Sequence, residues 1–238
     1  MGAEMGCVVE LPPALPPRLL SHTWMEPLSL RTALTTPEFW VLFLAMSCGT
    51  GGTLVLVNNF SQLAESLRCA SGGNPYVSLF GVCSASGRLI TGYYGARLRI
   101  PRPAFLLAAL GLLALALASV AFASCGSLFA VTVVVGHAFG CLFALAPVVA
   151  GDLFGEALAG SLYGFVGASP AVGSFFLNTL ITGRVYDRHA LLQPDNTRKC
   201  FGDLCFRTTF WVSGAACAAG AFGAAWLVRR TRHMYVTI

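Results

Sequence analysis

The sequence predicts an all-α membrane protein with six transmembrane helices, and its composition leads to that class. Hydrophobic residues make up 56% of the 238 residues, and only 11% are charged. The mean hydropathy of +0.72 is far above that of a soluble domain. A helix needs about 20 mainly apolar residues to cross a bilayer, so the chain has room for several spans. The net charge of +5 comes from basic residues near segment ends. That placement favours a lipid bilayer as partner and argues against nucleic acid.

The first 36 residues have a different composition from the rest of the chain. They contain the prolines Pro12, Pro13, Pro16 and Pro17 together with the acid Glu10. A secretory signal peptide needs a basic start and an unbroken apolar stretch, which these residues exclude. We therefore interpret 1–36 as a cytosolic Pro-rich tail and 37–238 as the six-helix transmembrane domain.

Six apolar segments follow the tail, with polar or proline-containing stretches between them. The first begins at a helix-start signal, because Thr36 can cap the helix, Pro37 suits its first turn and Glu38 lies near the positive end of its dipole. The predicted spans are Pro37 to Asn59, Tyr76 to Ala96, Pro103 to Ser124, Ser127 to Ala150, Leu158 to Thr182 and Thr208 to Val228.

Short arginine-rich stretches indicate the orientation. They follow the second and the sixth spans and contain Arg97, Arg99, Arg102, Arg229, Arg230 and Arg232. Cytosolic loops carry the excess of basic residues, and with six spans these two stretches lie on one face. We expect an integral, multi-pass protein with both termini cytosolic, although the loop after the fifth span is also basic.

Glycines are spaced for close contact between helices. Two GxxxG pairs predict tight packing, Gly136 with Gly140 in the fourth span and Gly160 with Gly164 in the fifth. Three more crowd the middle of the first span, namely Gly49, Gly51 and Gly52. They would loosen that helix, as in the discontinuous helices that line transporter sites.

Several ordered motifs carry a family resemblance. They are Pro37 to Phe43, Cys48 to Gly51, Asn58 to Gln62, Gly87 to Leu89 with Gly92 and Gly95, Pro101 to Pro103, and Pro147 with Gly151 to Gly155. Together they resemble helices seven to ten of the nodulin-like, nuclear-fusion-defective-type branch of the major facilitator superfamily. The family more usually has Ser-Glu in place of Gly151 and Asp152. The likeness continues through Leu162 and Tyr163 to the C-terminal arginines.

This resemblance implies the C-terminal half of a major facilitator fold, with helices seven to twelve. It implies secondary active transport of a small solute, an organic anion being one candidate, by a fragment or half-transporter. Carriers of this fold bind solute between two six-helix halves. A second six-helix half, from the same or another chain, is therefore an expected partner. The alternative is a non-transporting membrane subunit or regulator that associates with a full-length relative.

Polar residues within the spans are the candidate substrate or gating residues, because they are costly in lipid. Arg88 would bind an anion or act in gating; a snorkelling or structurally paired arginine is the competing interpretation. An imidazole titrates near neutral pH, so His137 suits proton coupling, but a hydrogen-bonded packing histidine is the preferred interpretation. Asn58, Asn59 and Asn178 offer neutral amides to a solute, or simply cap and pack helices.

One charged network is also predicted at the cytosolic side. Asp152 ends the fourth span in an otherwise uncharged stretch, at the depth of Arg88 and Arg97. We expect these three residues to stabilise a closed gate.

Neither an enzyme nor a bound cofactor or metal is expected. Gly167 to Ser169 resembles the start of a rhomboid protease motif, but Pro170 replaces its last glycine and the last span has no histidine base. The sequence has no HExxH pair and no phosphate-binding loop. Cys200 and Cys205 share the polar outer loop and predict a disulfide. Cysteines at span edges, such as Cys125, are interpreted as small apolar residues.

Overall fold

The computed structural model describes residues 29–70, 72–97, 101–189, 191–192, 198–199 and 204–236, which are almost entirely helical. The α-helices are α1 (Leu30–Thr35), α2 (Pro37–Asn58), α3 (Phe60–Ser66), α4 (Asn74–Arg97), α5 (Arg102–Val120), α6 (Cys125–Phe154), α7 (Glu156–Val166), α8 (Ser169–Ser174), α9 (Gly183–His189) and α10 (Leu204–Val236). A π-helical segment, Phe175–Thr182, joins α8 to α9. Two antiparallel strands, β1 (Leu191–Leu192) and β2 (Arg198–Lys199), precede α10. The all-α class is confirmed, and α1 lies within the residues assigned to the tail.

Five helical segments are long and apolar enough to cross a membrane. They are Pro37–Asn58, Arg102–Val120, Cys125–Phe154, Glu156–Arg188 and Phe206–Thr231. The second predicted span corresponds to α4, whose 24 residues extend about 36 Å at ~1.5 Å per residue. Arg88 and several serines and glycines lower its hydropathy. By length and composition, the structure therefore confirms five of the six predicted spans.

The first span begins where the capping signal predicts. The Thr36 hydroxyl accepts a hydrogen bond from the backbone N–H of Phe39 at 3.4 Å, and Pro37 occupies the first turn. Glu38, also in this turn, accepts a hydrogen bond from Nε of Arg230 at 2.7 Å. This ion pair joins the start of α2 to the end of α10.

The helices pack against one another in one bundle. α4 packs against α6, α6 against α5 and α7, α5 against α10, α10 against α2, and α2 against α8. α2 also contacts α6 across the centre, where Leu42, Leu110, Leu113 and Leu142 are fully buried. α4 and the segment from α7 to α9 are therefore the flanks of the bundle.

The glycines of α2 form helix contacts, so the predicted loosening of the first span is wrong. α2 is an uninterrupted helix, and Gly49, Gly51 and Gly52 are all buried. A Cβ on Gly51 would lie 2.6 Å from Cα of Gly173 in α8. In the other direction, a Cβ on Gly173 would clash with the Ser47 carbonyl oxygen. Side chains are absent here because α2 and α8 touch backbone to backbone.

The two GxxxG pairs have opposite outcomes. Gly136 and Gly140 contact α4, and a Cβ on Gly140 would lie 3.0 Å from the backbone nitrogen of Arg88. The predicted packing role of this pair is confirmed. A Cβ added to Gly160 or Gly164 would meet no atom within 4 Å. The predicted packing of this pair against another helix of the chain is therefore wrong. They lie on the outer flank of α7.

A disulfide between Cys69 and Cys125 joins the α3–α4 loop to the first residue of α6. The two Cα atoms are 5.6 Å apart, across 56 residues of sequence. Closing a loop of this length stabilises the fold by about 4 kcal/mol in the chain-entropy treatment. The interpretation of Cys125 as a small apolar residue is therefore wrong. The Tyr76 hydroxyl donates to the Cys125 carbonyl at 3.3 Å, which holds α4 against the same junction.

We expect Gly51→Ala to destabilise the protein by about 1 to 3 kcal/mol, because the added methyl group overpacks the α2–α8 contact. Thermal unfolding of the purified chain in detergent measures this effect. Gly111→Ala in α5 is the matched control, since its Cβ would meet nothing within 4 Å. Its expected effect is nil or a small stabilisation. Equal melting temperatures for the two variants would contradict the packing role.

Candidate functional site

Arg88 lies in the middle of α4, about 21 Å along the axis from Asn74 and about 14 Å from Arg97. It is exposed, and its guanidinium lies over the ring of Phe143 in α6, 5.3 Å from the centroid. Within the described ranges, no acidic side chain forms an ion pair with it. Phe143 in turn packs on Phe139 at a centroid distance of 4.8 Å. The arginine is thus held by an aromatic face and not by a carboxylate.

His137 belongs to a polar contact between α4 and α6. Its Nδ1 lies 3.3 Å from the hydroxyl oxygen of Ser86, and the imidazole is half-buried. One turn further on, the Thr91 hydroxyl donates to Sγ of Cys141 at 2.9 Å. Both the packing and the proton-coupling interpretations remain consistent with this hydrogen bond.

Two of the predicted amides are brought together. Nδ2 of Asn59 donates to Oδ1 of Asn178 at 2.8 Å and also to the carbonyl of Val55 at 2.7 Å. Asn59 is buried and Asn178 half-buried, whereas Asn58 is exposed and takes no part in this pair. Asn178 lies in the π-helical segment, and π-helical turns occur frequently at functional sites.

The acidic candidate has a different arginine as its partner. Asp152 accepts a hydrogen bond from Nη1 of Arg102, at the start of α5, and has further interactions as well. Arg97 lies over the ring of Tyr93 at 4.4 Å, and Arg88 over Phe143. The predicted grouping of Asp152 with Arg88 and Arg97 is therefore replaced by a contact with Arg102. The Pro101 to Pro103 motif was the signal that could have pointed to it.

The predicted Cys200–Cys205 disulfide lies outside the residues whose side chains the structure describes. Among the described residues, no group of three or more His, Cys, Asp or Glu side chains is placed to hold a metal ion. Sequence reasoning also missed Phe143, because nothing in the sequence of α6 marks it as the partner of Arg88.

The polar candidates thus form three separate places on the bundle. Arg88 and His137 lie at the contact of α4 with α6, and the two amides lie where α2 meets the π-helical segment. The Asp152 pair lies at the end of α6. The described candidates therefore do not converge on one site.

Residues 22–237 match the family model described as "NFD4, C-terminal domain". The chain belongs to this family. It is 28% identical over 218 residues to "Protein NUCLEAR FUSION DEFECTIVE 4" of Arabidopsis thaliana, covering 87% of this chain and 37% of that protein. It is 25% identical over 210 residues to "Probable transporter MCH1" of Yarrowia lipolytica, covering 82% of this chain and 43% of that protein. The NFD4-type resemblance is confirmed, and the chain spans less than half the length of these relatives.

We expect charge reversal to separate Arg102 from the other arginines as a partner of Asp152. Arg102→Asp should destabilise the protein, and adding Asp152→Arg should recover part of the loss. The remainder reflects the further interactions of Asp152. Because the Arg102 side chain is 38% exposed, the coupling should be about 0.2 to 1 kcal/mol. A double-mutant cycle on melting temperatures measures it. Arg97→Asp with Asp152→Arg is the control cycle, and equal coupling in both cycles would refute the assignment.

Proposed function

We propose that this protein is a six-helix half of a secondary active transporter, and that its solute is a small organic anion bound beside Arg88. The placement of Arg88 carries the proposal. An arginine at the centre of a membrane helix costs about 2.5 to 3.5 kcal/mol on insertion scales. A cation–π contact such as that with Phe143 offsets about 0.5 to 2 kcal/mol. The exposed guanidinium retains free donors that an anionic group could accept.

α4 must itself cross the membrane for this site to exist. The side chains that it exposes include Val82, Leu89 and Ile90, at 69%, 74% and 45% of their surface. Such an apolar surface suits lipid or a second membrane domain better than water. Together with its length, this supports α4 as a membrane span, which brings the number of spans to six. Six spans in turn support the chain as the C-terminal half of a major facilitator fold.

The disulfide supports the orientation with both termini cytosolic. With six spans, the α3–α4 loop and the α5–α6 junction share one face, and Cys69–Cys125 lies there. Disulfides form and persist outside the reducing cytosol. The opposite face carries Arg97, Arg102 and Arg230, as expected of cytosolic ends.

The other polar groups suit the working cycle of such a carrier. In this proposal, His137 exchanges a proton near the bound anion, while Asn59 and Asn178 hold α2 to the fifth span on the outer side. The Asp152–Arg102 contact closes the cytosolic side. A rocking motion of one half against another would break and remake such contacts.

We expect the Cys69–Cys125 bond in cells to be reduced by a membrane-impermeant phosphine applied to the non-cytosolic side of sealed membranes. Non-reducing electrophoresis after thiol labelling measures the reduction. A C-terminal tag should stay protected from protease added on that side. Proteolysis of the tag in sealed membranes would overturn the orientation.

The transport prediction concerns Arg88. When the chain is reconstituted in liposomes with the N-terminal half of its Arabidopsis relative, we expect saturable, gradient-driven uptake of one or more radiolabelled small carboxylates. Arg88→Gln should lower kcat/KM by at least about tenfold, equal to 1.4 kcal/mol, whereas Arg88→Lys should retain part of it. Arg97→Gln is the control and should be near wild type.

Two outcomes would count against this proposal. Equal uptake by Arg88→Gln and wild type would remove Arg88 from the solute site. Uptake that is absent under all gradients, while the chain still binds full-length relatives, would favour the non-transporting subunit.

A further inference from the structure

Arginine–aromatic contacts occur near both ends of α10. Near its start, the Arg207 guanidinium lies over the ring of Phe122, 5.4 Å from the centroid, and Phe122 meets Trp211 edge-on at 6.0 Å. Near its end, Arg230 lies over the ring of Trp226 at 5.7 Å. The two arginines are about 35 Å apart along the helix at ~1.5 Å per residue. That distance exceeds the roughly 30 Å of hydrocarbon but not the 40–45 Å that includes the headgroups, so both arginines lie at headgroup depth.

The two arginines differ in their partners. Arg230 is paired with Glu38, whereas no carboxylate in the described part of the chain forms an ion pair with Arg207. The Arg207 side chain is exposed, and its ring contact leaves N–H donors for an anion. A cavity of about 20 Å³ lies beside it, lined by Leu67 and Ala121 among others, with room for about one water molecule. An anion must therefore approach Arg207 from outside the bundle.

Toward the membrane centre, α10 presents a trough of small side chains. Trp211 and Phe222 are 49% and 77% exposed. Residues three or four positions apart share one face of a helix, and on this face the residues between the two rings are all alanines. These residues, the alanine trough, are Ala215, Ala218 and Ala219. Ala215 and Ala219 are exposed and Ala218 is half-buried, so the surface between the rings is recessed.

The trough has the length of one lipid leaflet. Phe222 lies about 22 Å along α10 from Arg207, and half of a bilayer with its headgroups is about 20 to 22 Å thick. Leu115 of α5, which is 74% exposed, borders the trough. Its depth follows from the preceding residue, because the Ala114 carbonyl oxygen would lie 3.0 Å from a Cβ on Gly214. Trp211, Leu115 and Phe222 therefore surround a space that suits a hydrocarbon chain.

We propose that a phospholipid of the leaflet at the Cys69–Cys125 end binds this face, with its phosphate on Arg207 and one acyl chain in the alanine trough. The phosphate supplies the anion at headgroup depth, and an arginine–phosphate contact is charge-assisted and often bidentate. Trp211 and Phe122 lie beside the phosphate, where aromatic rings favour the membrane interface. The site rests on α10 crossing the membrane, as its apolar span Phe206–Thr231 allows, and it is independent of transport.

Fluorescence quenching of Trp211 measures lipid binding at this place. The full chain is purified in detergent with its other tryptophans replaced by phenylalanine, namely Trp24, Trp40 and Trp226. The micelles are titrated with phosphatidylglycerol that carries brominated acyl chains, or with diacylglycerol that carries the same chains and no phosphate. We expect phosphatidylglycerol to quench Trp211 at an about two- to fivefold lower mole fraction, as an exposed ion pair would give. Superimposable curves for the two lipids would rule out the phosphate contact.

Two variants of this single-tryptophan chain separate the charge from the trough. Arg207→Gln should remove the advantage of phosphatidylglycerol, whereas Arg184→Gln should keep it. Arg184 is an exposed arginine at the same end of the bundle, since Tyr186 packs on Phe206 there at 5.9 Å.

Ala215→Phe should weaken quenching by both lipids, because the added ring fills the trough. Ala108→Phe is its control, an exposed alanine in the other leaflet on α5. Retention of the Cys69–Cys125 bond shows that each variant is folded. An advantage of phosphatidylglycerol that survives Arg207→Gln, or quenching unaffected by Ala215→Phe, would sink the proposed site.

Discussion

Backbone-to-backbone contact between helices is the constraint on which the rest of the structure depends. Lipid offers no hydrophobic drive for helices to associate, so they hold together through close packing. α4 meets α6 where Gly140 lies against the Ser84 carbonyl, and α2 meets α8 where Gly173 lies against Ser47. No side chain larger than hydrogen fits at either glycine. These two contacts attach the flanks of the bundle to its centre.

The polar contacts follow from this close approach. Because α4 lies directly on α6, Arg88 reaches the ring of Phe143 and Ser86 reaches His137. A wider separation would leave the guanidinium and the imidazole in an apolar surrounding without partners, which is costly. The small residues therefore serve both stability and the placement of the candidate site.

Local signals in the sequence predicted the helices well, whereas contacts between distant helices were predicted unevenly. Thr36 and Pro37 mark a helix start through the chemistry of one turn, so the start of α2 was predictable. The role of Gly160 was not, because spacing shows that a glycine can pack but not whether a neighbour is present. The same holds for Asp152, since several arginines lie at its depth and only the fold selects Arg102. Cys69 and Cys125 are far apart in sequence. They pair because α4 and α6 begin at the same end of the bundle.

The π-helical winding of Phe175–Thr182 decides which way the end of the fifth span faces. In an α-helix each residue turns by about 100°, so Asn178 would lie about 140° around the axis from Gly173 and away from α2. The hydroxyl of Thr182 bonds the carbonyl five residues back, at Leu177, as this wider winding allows. Gly173 consequently touches α2, and Asn178 accepts a hydrogen bond from Asn59, the residue that follows α2. Between those two contacts, the fifth span holds about one residue more than a straight α-helix would need.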